Sequence, residues 1–389
     1  MGNKMARKPV KVLQVTIGDG SYGGVASFMF SYYSHMNQEN IHFDFLYCGE
    51  NSMKSKMESP ILNNSKITVL HVMKPKNNGS NEYRQLLREL RNFFDNNQYD
   101  IVHVNTSNVL VSACVIYAVN KSAICIAHSH NTKAVVKNQN RLKELLKDVV
   151  KAPGRHFILK NADYYFACSK AAGKNLYGEK ALDTSKFRVI KNAIDLSKYC
   201  YNPSVRAKVR KTDRIVIGHV GRLTEQKNPF FLIDVFFEIH KVNPKTELWM
   251  IGEGELLDDI RKKVDKTGLH DNVVLWGRRS DVAELMQAMD MFMLPSLYEG
   301  LSIVAIEAQA SGLPIYASDC ISDEHKVTPL VQFLPLSLGA EKWAKKVTDD
   351  IKKLPVRRDM TEEMLESGYE ISLASQQLER FYVSIAKNS

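Results

Sequence analysis

Residues 295–314 have the sequence PSLYEGLSIVAIEAQASGLP, and this stretch decides the fold. It follows the apolar run at residues 289–294, which predicts a buried strand. Glu299 precedes Gly300, where the chain can turn sharply, and residues 301–310 have the apolar spacing of a helix. A strand, a glycine turn and a helix in this order predict one βα unit of a parallel sheet.

The same alternation extends from this unit toward both ends of the chain. Short β-rich apolar runs predict strands at residues 10–17, 41–47, 67–72, 101–104, 123–128, 164–168, 187–190, 214–220, 247–251, 273–276, 289–294, 314–317 and 331–334. Seven of these strands precede residue 191 and six follow residue 213, and these two series predict an α/β protein with two doubly wound, Rossmann-like domains. We predict a first domain at residues 1–200, a second at 201–370 and a last helix at 371–389, with the polar stretch 195–213 as the seam.

The composition is that of an ordinary globular protein. Of 389 residues, 44% are hydrophobic and 25% charged, which excludes disordered, collagen-like and coiled-coil chains. The six cysteines are scattered, without a C-x-x-C pair, as is typical of reduced thiols in a cytoplasmic protein. The longest apolar run, residues 109–119, is short of the ~20 residues that a spanning helix needs. With no signal peptide recognised, we expect a cytoplasmic protein, either free or peripheral at the inner face of the membrane.

The net charge is +10, and much of the excess lies at residues 131–160. There Lys143, Lys147 and Lys151 follow one face of a predicted helix whose opposite face carries leucines and valines. Such a helix suits an anionic membrane surface. It equally suits a solvated helix that packs its apolar stripe on its own domain, and both interpretations stay open. Nucleic-acid binding is not expected, because no such module is recognisable and the basic run lacks interleaved aromatics.

A glycine-rich turn, GDGSYGG at residues 18–24, follows the first predicted strand. It matches G-x-G-x-x-G, and Asp44 lies at about the spacing of the ribose-binding acid of dinucleotide-binding folds. However, Asp44 comes early in its strand, whereas that acid should come at the end. The alternatives are glycines that let the backbone approach an anion at a helix start, or a tight turn without a ligand.

Arg222 and Lys227 follow the strand at residues 214–220, the first of the second series. Open α/β sheets bind ligands at the carboxyl ends of their strands. A forked guanidinium and a point charge five residues apart suit a diphosphate. The alternative is a pair of solvated surface cations.

Glu299 and Glu307 form the third candidate group. Glu299 lies in the loop and Glu307 about two turns into the predicted helix. The first-turn amides near Ser302, Ile303 and Val304 would then be free to bind phosphate. The alternative is two unrelated solvated acids, but Glu307 has apolar neighbours, among which an unpaired charge would be costly.

Several motifs in chain order resemble the retaining glycosyltransferases of family 4, which have the GT-B fold. They are GDGSYGGV, AHSHN, VIKNAIDL, IGHVGRLTEQKNP, MIGEGE, VVLWGRRSDV and PSLYEGLSIVAIEAQASGLP, and they cover nearly the whole chain. The most specific is the E-x7-E spacing of Glu299 and Glu307. The AHSHN, FACSK and GRRSDVAELMQAMDMFMLPSLYEGL segments are most similar to enzymes of bacterial exopolysaccharide and capsule assembly. The resemblance implies two domains that face each other across a cleft, with the last helix crossing back to the first.

The resemblance also assigns the phosphate-binding groups. Gly23 and Gly24 match the glycines that approach the donor diphosphate and the acceptor, and Arg222 and Lys227 match the cations that neutralise the leaving diphosphate. The helix start that binds a donor phosphate corresponds to Leu301, Ser302, Ile303 and Val304.

The sugar and nucleoside contacts follow in the same way. Glu299 matches the acid that holds donor sugar hydroxyls, with Glu253 near it, and Glu307 matches the acid that binds ribose. The backbone around Arg278 matches the segment that reads the base.

A family histidine near the reacting centre corresponds to His128 or His130, and we favour His130. The implied reaction moves a sugar from a nucleotide sugar, with uridine diphosphate (UDP) as the nucleotide, to a hydroxyl of a glycan or polyprenyl-diphosphate-linked acceptor. The absence of an Asp-x-Asp motif agrees with a reaction that needs no metal, and no cofactor is expected. Alternatives are another GT-B enzyme such as a nucleotide-sugar epimerase or sugar phosphorylase, an NAD-dependent oxidoreductase, and a non-catalytic carbohydrate-binding protein.

Overall fold

The strands and helices follow the predicted alternation throughout. The computed structural model describes residues 8–17, 24–49, 64–70, 80–119, 122–130, 141–353 and 356–387; at residues 17, 80 and 141–150 it describes secondary structure alone. The strands are β1 (Val10–Ile17), β2 (Ile41–Cys48), β3 (Ile67–Leu70), β4 (Ile101–Asn105), β5 (Ile124–Ser129), β6 (Tyr164–Ala167), β7 (Phe187–Val189), β8 (Ile215–Val220), β9 (Thr246–Ile251), β10 (Val273–Gly277), β11 (Met291–Leu294), β12 (Ile315–Ser318) and β13 (Val331–Leu334). The helices are α1 (Gly24–Ser34), α2 (Ser80–Asp95), α3 (Val109–Ala118), α4 (Arg141–Asn161), α5 (Lys170–Tyr177), α6 (Leu196–Tyr199), α7 (Pro203–Val209), α8 (Pro229–Val242), α9 (Leu257–Lys266), α10 (Val282–Ala288), α11 (Ile303–Ala310), α12 (Gly339–Ile351), α13 (Thr361–Glu366) and α14 (Ile371–Ala386).

These strands form two parallel sheets. The first has the order β3-β2-β1-β4-β5-β6-β7 and the second β10-β9-β8-β11-β12-β13. Successive residues alternate between apolar clusters on opposite faces, as Val12 and Leu13 do in β1. Burial of both faces explains why the strands are nearly continuous apolar runs. The predicted α/β class with two doubly wound domains is confirmed, and the described part of every predicted strand lies within two residues of its predicted bounds.

The chain divides into two compact units at Ala193/Ile194 and again at Glu370/Ile371. The first unit contains β1–β7, α1–α5 and α14, and the second contains β8–β13 and α6–α13. Residues 195–213 are therefore not a seam, and the second unit begins before the predicted residue 201. The reason is that α6 and α7 pack against α10. Arg206 and Arg210 of this stretch form ion pairs with Asp290 at 2.6 and 2.9 Å.

Helix α14 packs in the first unit. Its side chains Ile371, Leu378, Tyr382 and Ile385 are buried in the apolar cluster that contains residues of α1, β1 and β2. At its exposed side, the Glu379 carboxylate accepts hydrogen bonds from the Asn37 backbone N–H and the Asn40 amide, both at 2.8 Å. Residues 371–387 thus complete the core of a unit whose other residues precede residue 194.

The strand order reverses between β1 and β4 in the first sheet, and between β8 and β11 in the second. Ligands of open α/β sheets bind beyond the carboxyl ends of strands at such switch points. In the second unit the two loops concerned are those that carry Lys227 and Glu299. Among the described helices, none is both long and apolar enough to cross a membrane.

Candidate active site

The loops after β8 and β11 are hydrogen-bonded to each other. The Leu297 N–H donates to the Gln226 carbonyl oxygen at 2.8 Å, and the Gln226 side-chain amide donates to the Tyr298 carbonyl oxygen at 3.0 Å. Two predicted residues from distant parts of the sequence, Lys227 and Glu299, are thereby brought together at the switch point of the second sheet.

Glu299 is the centre of this arrangement. Its Oε1 accepts from Lys227 Nζ at 2.6 Å and from Ser296 Oγ at 2.7 Å, and its Oε2 accepts from Gln226 Nε2 at 3.3 Å. The side chains of Lys227 and Glu299 are only 13% and 7% exposed. A carboxylate that is buried, paired with a cation and held by two neutral donors has a fixed orientation. It can present acceptor lone pairs to hydroxyl groups without carrying an uncompensated charge.

The loop after β9 packs closely beside the loop after β8 because it contains glycines. A Cβ on Gly252, whose φ is +137°, would lie 2.0 Å from the Gly221 carbonyl oxygen. The Leu223 N–H donates to the Glu253 carbonyl oxygen at 2.9 Å. The side chains of Arg222 and Glu253 are exposed and make no hydrogen bond or ion pair with a described residue. Both are available to a ligand.

The start of α11 differs from the prediction at one amide. The Ser302 N–H donates to His325 Nε2 at 2.9 Å, and His325 Nδ1 lies 2.8 Å from the Ser322 carbonyl oxygen. An N–H only donates and a carbonyl only accepts, so His325 is neutral, with its proton on Nδ1. Burial lowers the pKa of His325, in agreement with this state. The Ser302 amide is therefore not free. Among described residues the amides of Ile303 and Val304 have no acceptor.

Glu307 lies on α11, as predicted, and is half-buried. Burial raises the pKa of its carboxyl to about 7, and a hydrogen bond from the Tyr199 hydroxyl acts in the opposite direction. Tyr199 is held in turn, because its carbonyl oxygen accepts from Gln287 Nε2 at 3.0 Å and from Ser311 Oγ at 2.9 Å. Sequence reasoning missed Tyr199, and no pattern in the chain marks it.

His219 of β8 was also missed. Its Nδ1 lies 2.9 Å from the Met293 carbonyl oxygen, so Nδ1 carries the proton and Nε2 is unprotonated, with a lone pair. That Nε2 is buried without a hydrogen-bond partner. Burial lowers the pKa of His219 to about 4, and the charges of Lys227 and Glu299 also act on it. A histidine inside the otherwise apolar run before Gly221 was the signal that could have revealed it.

The two candidate histidines lie at the carboxyl end of β5 in the first unit. His128 is fully buried, and its Nδ1 lies 2.9 Å from His103 Nε2. His130 is 8% exposed, and its Nε2 lies 2.9 Å from Asn105 Oδ1. Burial lowers the pKa of His130 to about 3 and that of His128 well below its usual range, so both rings are neutral near pH 7.

The remaining predicted residues are placed as follows. Gly24 is the first residue of α1, whereas Gly23 lies outside the described residues. Lys143 and Lys147 lie on α4, where their side chains are not described, and Lys151 further along the same helix is half-buried. In the second unit Leu301 is buried before α11, and Arg278 is exposed after β10.

Asp44 is not available to a nucleotide ribose. Its Oδ1 accepts from the Lys66 N–H at 2.6 Å and its Oδ2 accepts from the Tyr99 hydroxyl at 3.1 Å. The carboxylate instead ties β2 to neighbouring elements of the first unit. The dinucleotide interpretation of the glycine-rich turn therefore loses the acid on which it depended.

The fold and the candidate site define a class of protein, the two-domain glycosyltransferases with the GT-B fold. HepE from Anabaena, solved in complex with UDP and glucose, superposes with a TM-score of 0.66 at 17% identity, over 97% of this chain and 98% of HepE.

Family models identify the family more narrowly. Residues 22–198 match the model described as "Glycosyltransferase Family 4", and residues 202–363 match "Glycosyl transferases group 1". The chain belongs to the glycosyltransferases that these two models describe. It is 28% identical to the putative glycosyltransferase EpsF of Bacillus subtilis, over 92% of this chain and 93% of EpsF. It is also 24% identical to CapH, a capsular polysaccharide biosynthesis glycosyltransferase of Staphylococcus aureus, over 89% and 92% of the two chains.

Proposed function

We propose that this enzyme is a retaining, metal-independent glycosyltransferase that uses a UDP-sugar. Its acceptor is a hydroxyl of a glycan or polyprenyl-diphosphate-linked glycan in the synthesis of a bacterial exopolysaccharide or capsule. The observation that carries the donor assignment is the buried Lys227–Glu299 pair at the switch point of the second sheet, beside the exposed Arg222. The UDP and glucose bound to HepE and the capsular role named for CapH support the choice of substrates.

The charges of the second unit suit a leaving diphosphate. As the sugar–phosphate bond breaks, negative charge builds on the diphosphate and the anomeric carbon becomes positive. Lys227 and the amides of Ile303 and Val304 oppose the growing negative charge from fixed positions, which is electrostatic preorganisation, and the exposed Arg222 adds a further positive charge. In this proposal these groups do the work that a metal ion does in other transferases, and no cofactor takes part.

Two carboxylates orient the donor in the same proposal. Glu299, held by Lys227 and Ser296, accepts hydrogen bonds from the sugar hydroxyls, with Glu253 near them. Glu307 accepts from the ribose hydroxyls, and the backbone around Arg278 contacts the base. We assign acceptor binding to the first unit.

A panel of nucleotide sugars tests the donor site. The wild type, Glu307→Ala and the control Glu366→Ala, whose carboxylate is exposed on α13, are compared by thermal unfolding in the presence of a metal chelator. A ligand at 100 times its dissociation constant adds about 2.7 kcal/mol, or about 5–10 °C for a unit of this size. We expect this shift with a UDP-sugar in the wild type and in Glu366→Ala, and its loss in Glu307→Ala. No shift with any nucleotide sugar would refute the proposal.

The product decides the reaction class. Transfer from an α-linked donor to an acceptor hydroxyl, with an α linkage in the product by NMR, is the expected result. A β linkage would refute retention. Phosphate-dependent release of sugar phosphate would indicate a phosphorylase, and isomerisation of the nucleotide sugar an epimerase.

The lipid-linked acceptor implies a cytoplasmic enzyme that is peripheral at the inner membrane face, with α4 as the contact. The test is binding to vesicles with and without anionic lipid, for the wild type and for a variant with Lys143, Lys147 and Lys151 replaced by Gln. Weaker binding of the variant to anionic vesicles supports this contact, at about 1 kcal/mol per basic residue. Unchanged binding would reject it.

A further inference from the structure

A buried hydrogen-bond network crosses the first unit from α14 to the end of β5. Its members are Gln14, His103, Asn105, His128, His130 and Tyr382, all buried. Tyr382 comes from the last helix, α14. Burial lowers the pKa of all three histidines, so their imidazoles are neutral near pH 7, and the function of the network depends on which nitrogen of each ring carries the proton.

The positions of the imidazole protons follow from the His103 carbonyl oxygen, which fixes the orientation of the Asn105 side-chain amide. Asn105 Nδ2 donates to the His103 carbonyl oxygen at 3.2 Å and to Gln14 Oε1 at 2.7 Å. The carbonyl accepts only, which fixes the orientation of the Asn105 amide and turns its Oδ1 toward His130. His130 Nε2 therefore carries a proton and donates a hydrogen bond to Asn105 Oδ1, so that Nδ1 of His130 is unprotonated and has a lone pair.

The same reasoning extends to Tyr382. If the Tyr382 hydroxyl accepted a hydrogen bond from His103, its own proton would have no acceptor among the described residues, because Gln14 Oε1 faces the Asn105 amide. The Tyr382 proton is therefore directed to His103 Nδ1, 2.6 Å away. His103 must carry its own proton on Nε2 and donate it to His128 Nδ1 at 2.9 Å. This leaves the proton of His128 on Nε2, which has no partner among the described residues.

The rings of this chain of donors lie in contact with one another. His103 and His128 lie at an interplanar angle of 13° with centroids 5.1 Å apart. The His128 and His130 centroids are 3.9 Å apart, and His130 is the more exposed of the two. A change in the His103–His128 bond therefore acts on the ring against which His130 packs.

We propose that Tyr382 is a positioning residue: it fixes the protons on His103 and His128, and so holds the packed His128–His130 pair with the Nδ1 lone pair of His130 presented to a substrate hydroxyl. The last step, the hydroxyl contact, rests on the proposed function. The placement of the protons does not.

The experiment uses the full chain with 15N-labelled histidine and long-range 1H–15N correlation, which identifies the protonated nitrogen of each ring. Variants are Tyr382→Phe and the matched control Tyr47→Phe, whose hydroxyl is buried in the same apolar cluster without a hydrogen-bond partner. We expect Nε2–H on all three rings in the wild type and in Tyr47→Phe. In Tyr382→Phe, His103 and His128 should lose this single state. His130 should keep it, because Asn105 stays anchored to the backbone. Unchanged His103 and His128 signals in Tyr382→Phe would overturn the proposal.

Kinetics with the preferred donor test the positioning role. We expect kcat of Tyr382→Phe to fall by up to about tenfold, the scale of one lost hydrogen bond, with KM within twofold and Tyr47→Phe unaffected. His103→Phe, which keeps an aromatic ring but no ring nitrogen, should give the same loss, and the double variant with Tyr382→Phe no further loss. Equal kcat for Tyr382→Phe and Tyr47→Phe would refute the positioning role. If the wild type transferred no sugar at all, the proposed function and the hydroxyl contact would fail, while the NMR result would still decide whether Tyr382 fixes the protons.

Discussion

Replacement of Lys227 by methionine removes the cation from the Glu299 pair and keeps most of the side-chain volume. The carboxylate of Glu299, 7% exposed, would keep its hydrogen bonds from Ser296 and Gln226 but lose the ion pair with Lys227. Breaking a buried ion pair by removal of one partner costs about 3–5 kcal/mol. We expect the lower end, about 3 kcal/mol, because the two neutral donors remain.

The second unit spans residues 194–370, a size for which 1 kcal/mol shifts the unfolding midpoint by about 2–4 °C. The expected loss for Lys227→Met is therefore about 6–12 °C by calorimetry. Lys262→Met is the matched control, since its partner Asp259 and Lys262 itself are both exposed. Such surface pairs contribute about 0–1 kcal/mol, so the control should lose at most a few degrees.

A double-mutant cycle separates the pair from the individual side chains. Glu299→Gln leaves Lys227 unpaired and should also destabilise the protein. The double variant Lys227→Met/Glu299→Gln buries no charge at this place and should recover at least half of the summed losses. A midpoint change below 2 °C for Lys227→Met, or simple additivity in the double variant, would refute the conclusion that the buried pair stabilises the second unit.

Three further predictions concern the second unit. Burial raises the pKa of Glu307 to about 7, and the ribose hydroxyls need its ionised carboxylate. The affinity for UDP, measured by calorimetric titration, should therefore be constant above pH 8 and weaken by up to tenfold per pH unit below pH 7. An affinity that does not change with pH would exclude Glu307 from the ribose contact. Gly252→Ala combines a positive φ with a Cβ 2.0 Å from a carbonyl oxygen, so it should lower the free energy of unfolding by about 2–6 kcal/mol. The control Gly268→Ala, with open space at its Cβ, should lower it by about 1–2 kcal/mol, and equal unfolding midpoints for the two variants would contradict the close approach of the loops. His325→Ala removes the hydrogen-bond acceptor of the Ser302 amide and should destabilise the unit by about 1–3 kcal/mol. His325→Gln keeps an acceptor and should destabilise it less, and the reverse order in thermal unfolding would contradict the role of His325 as acceptor of the Ser302 amide.

The fold could be predicted from the sequence because its information is local. Strands buried on both faces are apolar runs of four to eight residues, and each helix between them has its own periodicity. The position of Glu299 was predictable for the same reason, since it follows β11 and precedes Gly300 directly. The error at residues 195–213 has the opposite cause. That stretch has little apolar periodicity, and its helices are held by Arg206 and Arg210 on the carboxylate of Asp290, about 80 residues away.

The supporting residues of the site could not be predicted, because their roles arise from tertiary packing. Tyr199 reaches Glu307 only because α6 lies against α11. His325 meets the Ser302 amide 23 residues away in sequence, through a loop without a motif. His219 was visible as a polar residue in an apolar strand, but nothing in the sequence indicates which of its nitrogens is bonded.

The first unit is discontinuous in sequence, which has a consequence for its biosynthesis. Its core needs Leu378 and Tyr382, which the ribosome adds after the entire second unit. Until then the faces of α1 and β2 that α14 covers have no packing partner in the nascent chain, and Phe43 and Tyr32 lie in an incomplete core. During this interval a chaperone that binds apolar surface can bind these uncovered faces. A stop codon before residue 371 would release a protein whose second unit is complete and whose first unit lacks α14.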